Sequence, residues 1–402
     1  MVHETSEPKE ITIDGRIYDV SSLEGKHPGG GVFKFYFGSD ATVAFNEFHG
    51  RSPRAYKWLK TLKSRPATQP LSPLERDFRI FRQQLVDEGY FEPSYIHLAY
   101  RFAFLFFCHW VAFKLMFAEW YFTAALCLGY AGGHCGWLMH EFGHGSGTGY
   151  MWLDRRIQEF VYGVGDGMSA GWWRSQHNRH HAMPQHLEHD VDLKTLPLVA
   201  FHAEIAKKGN PFWLRFQAYL FLPVVTLLVT LGWQFFLHPR YMIRKGKWAE
   251  LFYLAVRYGG VAYFVLPHLG LAKTLMMYIG GALFGGMYIF TNFALSHTHK
   301  PVVHKGETKD WIRFSVEHTT NISPGNWFIT YFVMTHLNQQ IEHHLFPQMP
   351  QYRFFKLVPR VRKWVEDHGL EYDTRGYFET LWDTLRNLDE VGKSAGEHAH
   401  KE

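Results

Sequence analysis

His140-Glu141-Phe142-Gly143-His144, His177-Asn178-Arg179-His180-His181 and Gln340-Ile341-Glu342-His343-His344 each sit beside or between long apolar segments. On a helix, residues three or four apart share a face, so each stretch can aim its side chains at one point. Imidazole suits iron, copper, zinc and nickel. Ionisable groups beside membrane-length segments mark functional sites. Three stretches with matched spacing predict a polyhistidine transition-metal centre, and they require the intervening segments to fold so that all three meet.

The composition sets the frame for that meeting. At 402 residues the chain can build more than one core. With 35 Phe, 21 Tyr and 14 Trp it carries an aromatic load suited to the interfacial belts of a bilayer. Mean hydropathy is mildly negative, so a large part must lie outside any membrane. The net charge of +5 is dispersed, with no dense basic stripe of the kind nucleic acid requires, and fits a face meeting anionic lipid. Cys108, Cys127 and Cys135 all fall in apolar stretches and read as packed free thiols. Met1 to Lys9 is polar and acidic with no apolar run after it, so insertion is expected to rely on internal spans, with the N-terminus cytosolic.

Five apolar segments, at 96–117, 119–139, 213–237, 250–268 and 271–295, approach the ~20 residues that cross a bilayer. The first two histidine stretches follow the second segment and the third follows the fifth. To share one side they must be separated by an even number of crossings. Segment 213–237 is flanked by Lys207 and Lys208 and by Arg240, Arg244, Lys245 and Lys247, which places both its ends in the cytosol. Pro223 near its middle suits a bent, interfacial or re-entrant helix. Two hairpins making four spans are expected, with the metal centre cytosolic. Ile11 to Val20 alternates and turns at Asp14-Gly15, a hairpin signal. Ser64 to Pro70 reads as a linker, Pro73 to Glu88 as an amphipathic helix with Leu74, Phe78, Phe81 and Leu85 on one side, and Tyr352 to Leu388 as amphipathic soluble helices. Ser394 to Glu402 is expected to be disordered, its two histidines solvated.

Near the N-terminus, His27-Pro28-Gly29-Gly30 is followed by Phe48-His49. Two histidines can clamp a haem iron from opposite faces, and iron ligated in this way passes electrons without binding oxygen. Phe33, Phe35, Phe37, Phe45 and Phe48 are candidates to line the pocket. This segment resembles a cytochrome b5 domain, and the match implies His27 and His49 as axial ligands of haem b (heme b).

The order HxxxH, HxxHH, QxxHH on this layout of spans resembles the membrane fatty acyl desaturases. Glutamine at the head of the third stretch, together with the fused haem domain, is similar to the front-end desaturases. Trp172-Trp173, His189-Asp190-Val191-Asp192 and His344-Leu345-Phe346-Pro347 extend the likeness over nearly the whole chain. The resemblance implies two non-haem irons, a di-iron centre, held by His140, His144, His177, His180, His181, His343 and His344, with Gln340 in a position usually held by histidine. Related desaturases take a further ligand from the end of the last span, for which His297 is the choice here, with Asn292 a candidate to position a water. Glu141, Asp166, Asp190, Asp192 and Glu342 are candidates to fix the imidazole tautomers. His134, His299 and His336 read as structural.

The implied architecture is a small α+β haem domain (1–65), a linker and amphipathic helix (66–95), an all-α membrane desaturase domain (96–390) and a disordered tail (391–402). The desaturase domain is expected to carry four transmembrane helices, an interfacial helix and a cytosolic cap. The implied activity is O2-dependent insertion of a cis double bond between an existing one and the carboxyl end of a polyunsaturated acyl chain. Delta-5 is favoured, with delta-6, delta-8 and sphingoid-base delta-8 desaturation as alternatives. The carrier is acyl-CoA or phospholipid. NADH-cytochrome b5 reductase is the expected electron donor, since no Gly-x-Gly-x-x-Gly fingerprint lies on a strand-turn-helix here. The endoplasmic reticulum membrane is the implied location, with both termini and the active site cytosolic. Hydroxylation and a membrane-tethered haem electron carrier are the competing classes. Intact histidine stretches argue against the carrier.

Overall fold

The computed structural model describes residues 9–399, and the side chains of residues 396–399 are not among those described, so the readings of residues 1–8, of residues 400–402 and of His398 and His400 as solvated lie outside the described residues. Strands Glu10–Ile13 and Arg16–Asp19 pair antiparallel as expected. Positive φ at Asp14 (48°) and Gly15 (72°) gives the tight turn that matches strand twist. The stretch read as linker begins as a third strand, Ser64–Pro66, bonded to the second. Ala67 donates to the Gly15 carbonyl as well, so the small domain extends past residue 65. Proline is tolerated there because the strand is at the sheet edge. Ile11, Ile13, Val20 and Leu23 form the core beside helices Thr42–His49 and Pro53–Leu59.

Helix Pro73–Asp87 opens on a capping box in which Ser72 Oγ accepts from the Glu75 N–H, and the Glu75 carboxylate from the Ser72 N–H. Its apolar side is covered by the C-terminal part of the chain. Phe78 lies 5.3 Å from Phe346 and Phe81 5.7 Å from Trp364.

Among the described residues three helices are long and apolar enough to cross a membrane, namely Tyr95–Phe117, Gln217–Arg244 and Trp248–Leu295. The last is two arms. Gly270 (φ 72°, ψ 168°) breaks it, and Arg257 and Tyr258 pack on Tyr278, some twenty residues away. In an unbroken helix that separation would be about 30 Å. The expected span at 119–139 is the helix Tyr121–Gly143, which is less apolar than those three. It lies innermost and has traded aliphatic bulk for close packing. A Cβ on Gly129 would sit 2.6 Å from the Gly285 nitrogen, and one on Gly133 would collide with the Tyr288 ring. The tips of the two hairpins lie side by side, with Glu119 3.5 Å from Lys273.

Gln217–Arg244 contains π turns at Phe221–Val225, around Pro223, and at Trp233–Leu237, before Pro239. Its first residue bonds Ala200 and Leu388, and its far end bonds Ser169 through His238 Nδ1. Ser169 caps the helix that carries the second histidine stretch, so both ends reach the same side as the metal-ligand candidates.

Helices Phe354–Asp367 and Tyr377–Ala399 complete the fold. The expected disorder from residue 391 is corrected here, because helix continues to Ala399. Val391 and Ala395 are buried with Ala206 and Leu214, and Gly392 lies so close to the Leu214 carbonyl that a Cβ would stand 2.3 Å from it.

The haem-type domain rests on the face above the histidines. Tyr36 Oη donates to the Ala182 carbonyl (3.0 Å), Arg51 to the Gly145 carbonyl (2.9 Å), and Gln348 Nε2 to the Phe48 carbonyl (3.1 Å).

Candidate metal centre and haem site

Helix Tyr121–Gly143 delivers His140 at its end and His144 at its C-cap. Helix Ala170–Ala182 carries His177, His180 and His181, and helix Gln340–Leu345 carries Gln340, His343 and His344. Their ring nitrogens fall into two groups. One holds His140, His144, His177, His181 and His343, the other His180, His297 and His344, with the ligand atoms of each group within 4.8 Å of one another. All the expected histidines are brought together, including His297.

The spacing fits a metal better than a hydrogen-bonded core. His177 Nε2 lies 3.1 Å from His144 Nε2 and 3.1 Å from His181 Nε2. Neighbouring ligands about 2.1 Å from one metal stand about 3 Å apart at right angles. His140 Nε2 and both nitrogens of His343 and His344 are buried without a partner. Orphaned buried nitrogens are costly unless a ligand or water completes them. Burial holds His144 down to about 3, and His177, His181, His343 and His344 well below the ordinary imidazole value. Neutral imidazole is the form that binds metal.

His180 differs. Burial would lower it, but Asp190 and Asp192 raise it to about 9. Asp190 Oδ1 and Oδ2 lie 3.1 and 3.0 Å from His180 Nδ1. Asp192 is 59% exposed, so solvent screens its pull and Asp190 dominates. Nδ1–H donating to Asp190 orients Nε2 for metal, whose binding would displace the proton that Nε2 otherwise carries. His297 Nδ1 donates to the His318 carbonyl (3.0 Å), which frees its Nε2 in the same way.

Gln340 places its carboxamide 3.2 Å from His297 Nε2, and its Oε1 has no partner. The O and N of an amide are interchangeable by a flip. With oxygen turned inward, Gln340 offers a carbonyl ligand beside His297. Gln351 repeats the pattern at His140, 2.9 Å from Nδ1 with its own Oε1 unpartnered. Oxygen toward Nδ1–H there leaves His140 Nε2 free. Sequence reading missed Gln351, since a glutamine seven residues past the last histidine stretch carries no spacing signal.

Of the five carboxylates considered as tautomer-fixing groups, Asp190 and the exposed Asp192 reach a cluster histidine. Glu141 points away to His97 (3.2 Å), and Glu342 accepts from Asn321 and Tyr372. Both turn outward because their neighbours in the helix, His140 and His343, take the inward face. Asp166 has its closest ionic influence from Arg257, not from a cluster histidine. Asn292 donates to the Tyr288 carbonyl and accepts from Tyr377, so its amide is occupied away from His297. His134 meets the Phe332 carbonyl and His299 the Thr320 hydroxyl, as structural residues do, while both ring nitrogens of the buried His336 lack partners.

In the small domain, His27 and His49 face one another with ring centres 6.1 Å apart. Two imidazoles binding one metal from opposite faces at about 2 Å each put their ring centres about 6 Å apart. Gly29 is needed at this turn, since a Cβ would stand 2.9 Å from the His27 ring. Phe33 and Phe45 flank the pair at 5.4 and 4.9 Å. Phe35 and Phe48, expected in the same pocket, instead face the larger domain, stacking on His189 at 4.2 Å and meeting Trp311 at 5.3 Å.

An apolar cavity of about 1340 Å³ begins at His177, His180, His297 and Gln340 and runs down to Thr274 and Met277, near the hairpin tips.

Two family models match the chain. The family described as Cytochrome b5-like Heme/Steroid binding domain matches residues 1–68, and Fatty acid desaturase matches residues 118–376. An acyl-lipid (8-3)-desaturase of Rebecca salina is 49% identical over 97% of this chain and 94% of its own length. One from Thraustochytrium sp is 43% identical over 98% and 94%, and fatty acid desaturase 3 of Homo sapiens 28% over 97% and 91%. The chain belongs to the fatty acid desaturase family, as a front-end member with a fused cytochrome b5-like haem domain.

Proposed function

We propose that the chain inserts a cis double bond on the carboxyl side of an existing one in a polyunsaturated acyl chain, with delta-5 the favoured position. The cavity that begins at the histidines supports the acyl-chain part of this reading, because it is apolar, large enough for a long tail and would place a methylene pair beside the metal-ligand candidates. Phe106, Phe236 and Phe264 line it and are also exposed on the outside, which suits entry of a lipid-borne chain. The names of the acyl-lipid relatives support a lipid-bound acyl chain, of which a phospholipid is one form, over acyl-CoA.

His140, His144, His177, His181 and His343 would hold one iron, and His180, His297 and His344, with Gln340, the other. His27 and His49 would hold the haem. Irons bound there would supply, with O2, the oxidising power needed to remove hydrogen from an unactivated methylene. In balance, the acyl chain loses two hydrogens, and O2 with two further electrons and two protons becomes two waters. The chain's own residues orient the tail, exclude water along the cavity and, through Asp190, Gln351 and the His318 carbonyl, fix which imidazole nitrogen faces inward. The two electrons would come from NADH through a separate flavoprotein reductase to the haem.

The membrane would be crossed by two hairpins with tips at Glu119 and Gly270, and Gln217–Arg244 would lie within the cytosolic leaflet of the endoplasmic reticulum membrane. Basic Arg240, Arg244, Lys245 and Lys247 after its apolar part support that orientation. Expression in yeast fed C18 or C20 polyenes separately, with products located by mass spectrometry, tests the reaction. A new bond on the carboxyl side, at delta-5 in the C20 acid, is expected. A bond on the methyl side would overturn the front-end assignment, and a delta-6 or delta-8 product would overturn delta-5.

A further inference from the structure

The haem-type domain is fixed on the desaturase domain, and one aromatic side chain joins their two sites. Phe48 immediately precedes His49, and its ring meets Trp311 edge-to-face, with centres 5.3 Å apart and planes at 80°. The carbonyl of the same Phe48 accepts from Gln348, which holds the contact in register. Trp311 is 3% exposed and opens helix Trp311–Glu317. One turn later, Ser315 Oγ lies 2.8 Å from the Trp311 carbonyl and 3.2 Å from the carbonyl of His344. Contacts thus run without a gap from a haem-ligand candidate to a metal-ligand candidate. The indole N–H is buried without a partner, a costly choice if the residue only filled space.

We propose that Trp311 is the bridge that couples the haem electronically to the metal centre. Each transfer moves one electron from ferrous haem iron, which is oxidised, to ferric non-haem iron, which is reduced. Trp311 itself exchanges no proton. The electron reaches the haem from a flavoprotein reductase or, in a test, from dithionite. A separate aromatic contact between the domains, Phe35 on His189, lies on neither haem-ligand candidate and serves docking.

The proposal rests on the desaturase reading, and haem spectroscopy on the full chain in lipid nanodiscs separates the two. Protein reduced with dithionite is mixed rapidly with oxygenated buffer and a C20 polyunsaturated phospholipid, and decay of the ferrous haem bands is followed. Trp311→Leu is expected to slow substrate-dependent reoxidation several-fold with haem and iron contents intact. Trp311→Phe should recover most of the rate, and Phe35→Leu should keep it. If Trp311→Leu loses haem or iron, Phe48→Leu interrupts the same contact from the other side and takes its place. Reoxidation at the wild-type rate in the intact leucine variant overturns the bridge alone. Wild-type haem whose reoxidation ignores substrate and iron overturns the desaturase reading, and the bridge with it.

Discussion

Asp190 holds His180 in place, its two carboxylate oxygens at 3.1 and 3.0 Å from Nδ1. Oriented this way, the opposite nitrogen of His180 faces His297 and His344. The Gln185 N–H also donates to Asp190 (2.7 Å), which keeps the carboxylate from rotating away. Asp190→Asn is therefore expected to lower affinity for the iron of this group by about 10–100-fold, the usual effect of losing such a partner. Non-haem iron measured after dialysis against a mild chelator should fall while the haem spectrum stays unchanged. Full iron retention would show that His180 needs no partner.

Gln340 is the point where this chain departs from an all-histidine third stretch. Its carboxamide lies 3.2 Å from His297 Nε2 with Oε1 unpaired. Leucine matches its volume but supplies no carbonyl. Gln340→Leu is expected to be inactive and depleted in non-haem iron, with normal haem and membrane insertion. Near-normal product yield would move Gln340 out of the metal site.

The spacing of the three stretches is enough to read that these histidines converge, because helical periodicity sets which side chains share a face. His297 was reachable by family resemblance, and the Asp14-Gly15 hairpin by its turn residues. The partners of the histidines were less legible. Gln351 and the His318 carbonyl approach from segments distant in sequence. Glu141 and Glu342 were misplaced because proximity in sequence to a histidine does not say which face a carboxylate takes. The ordered helix past residue 391 depends on Leu214 and Ala206 covering Val391 and Ala395, a tertiary contact that local composition does not announce.

The haem assignment has a simple test. His27→Ala removes one of two rings whose centres are 6.1 Å apart. The purified variant is expected to lack a six-coordinate low-spin haem spectrum, while the membrane part still inserts, since the spans share no core with His27. Retention of that spectrum would exclude His27 as a ligand.

The proposed topology can be tested at the two tips, where Glu119 meets Lys273. Glycosylation acceptor sites inserted beside Glu119, or between Pro267 and Lys273, should be modified in microsomes, and one at Gly209 should not. Modification at Gly209 would mean that Gln217–Arg244 crosses the bilayer.

The central claim is that the two groups of histidines hold two irons. Metal analysis of the purified full chain, with haem iron determined separately by its spectrum, tests it most directly. Two non-haem irons for each haem are predicted, with loss of iron from both groups in a His177→Ala, His180→Ala double variant that still carries haem. A protein that binds haem and desaturates with fewer than two non-haem irons, or with zinc in their place, would contradict the account.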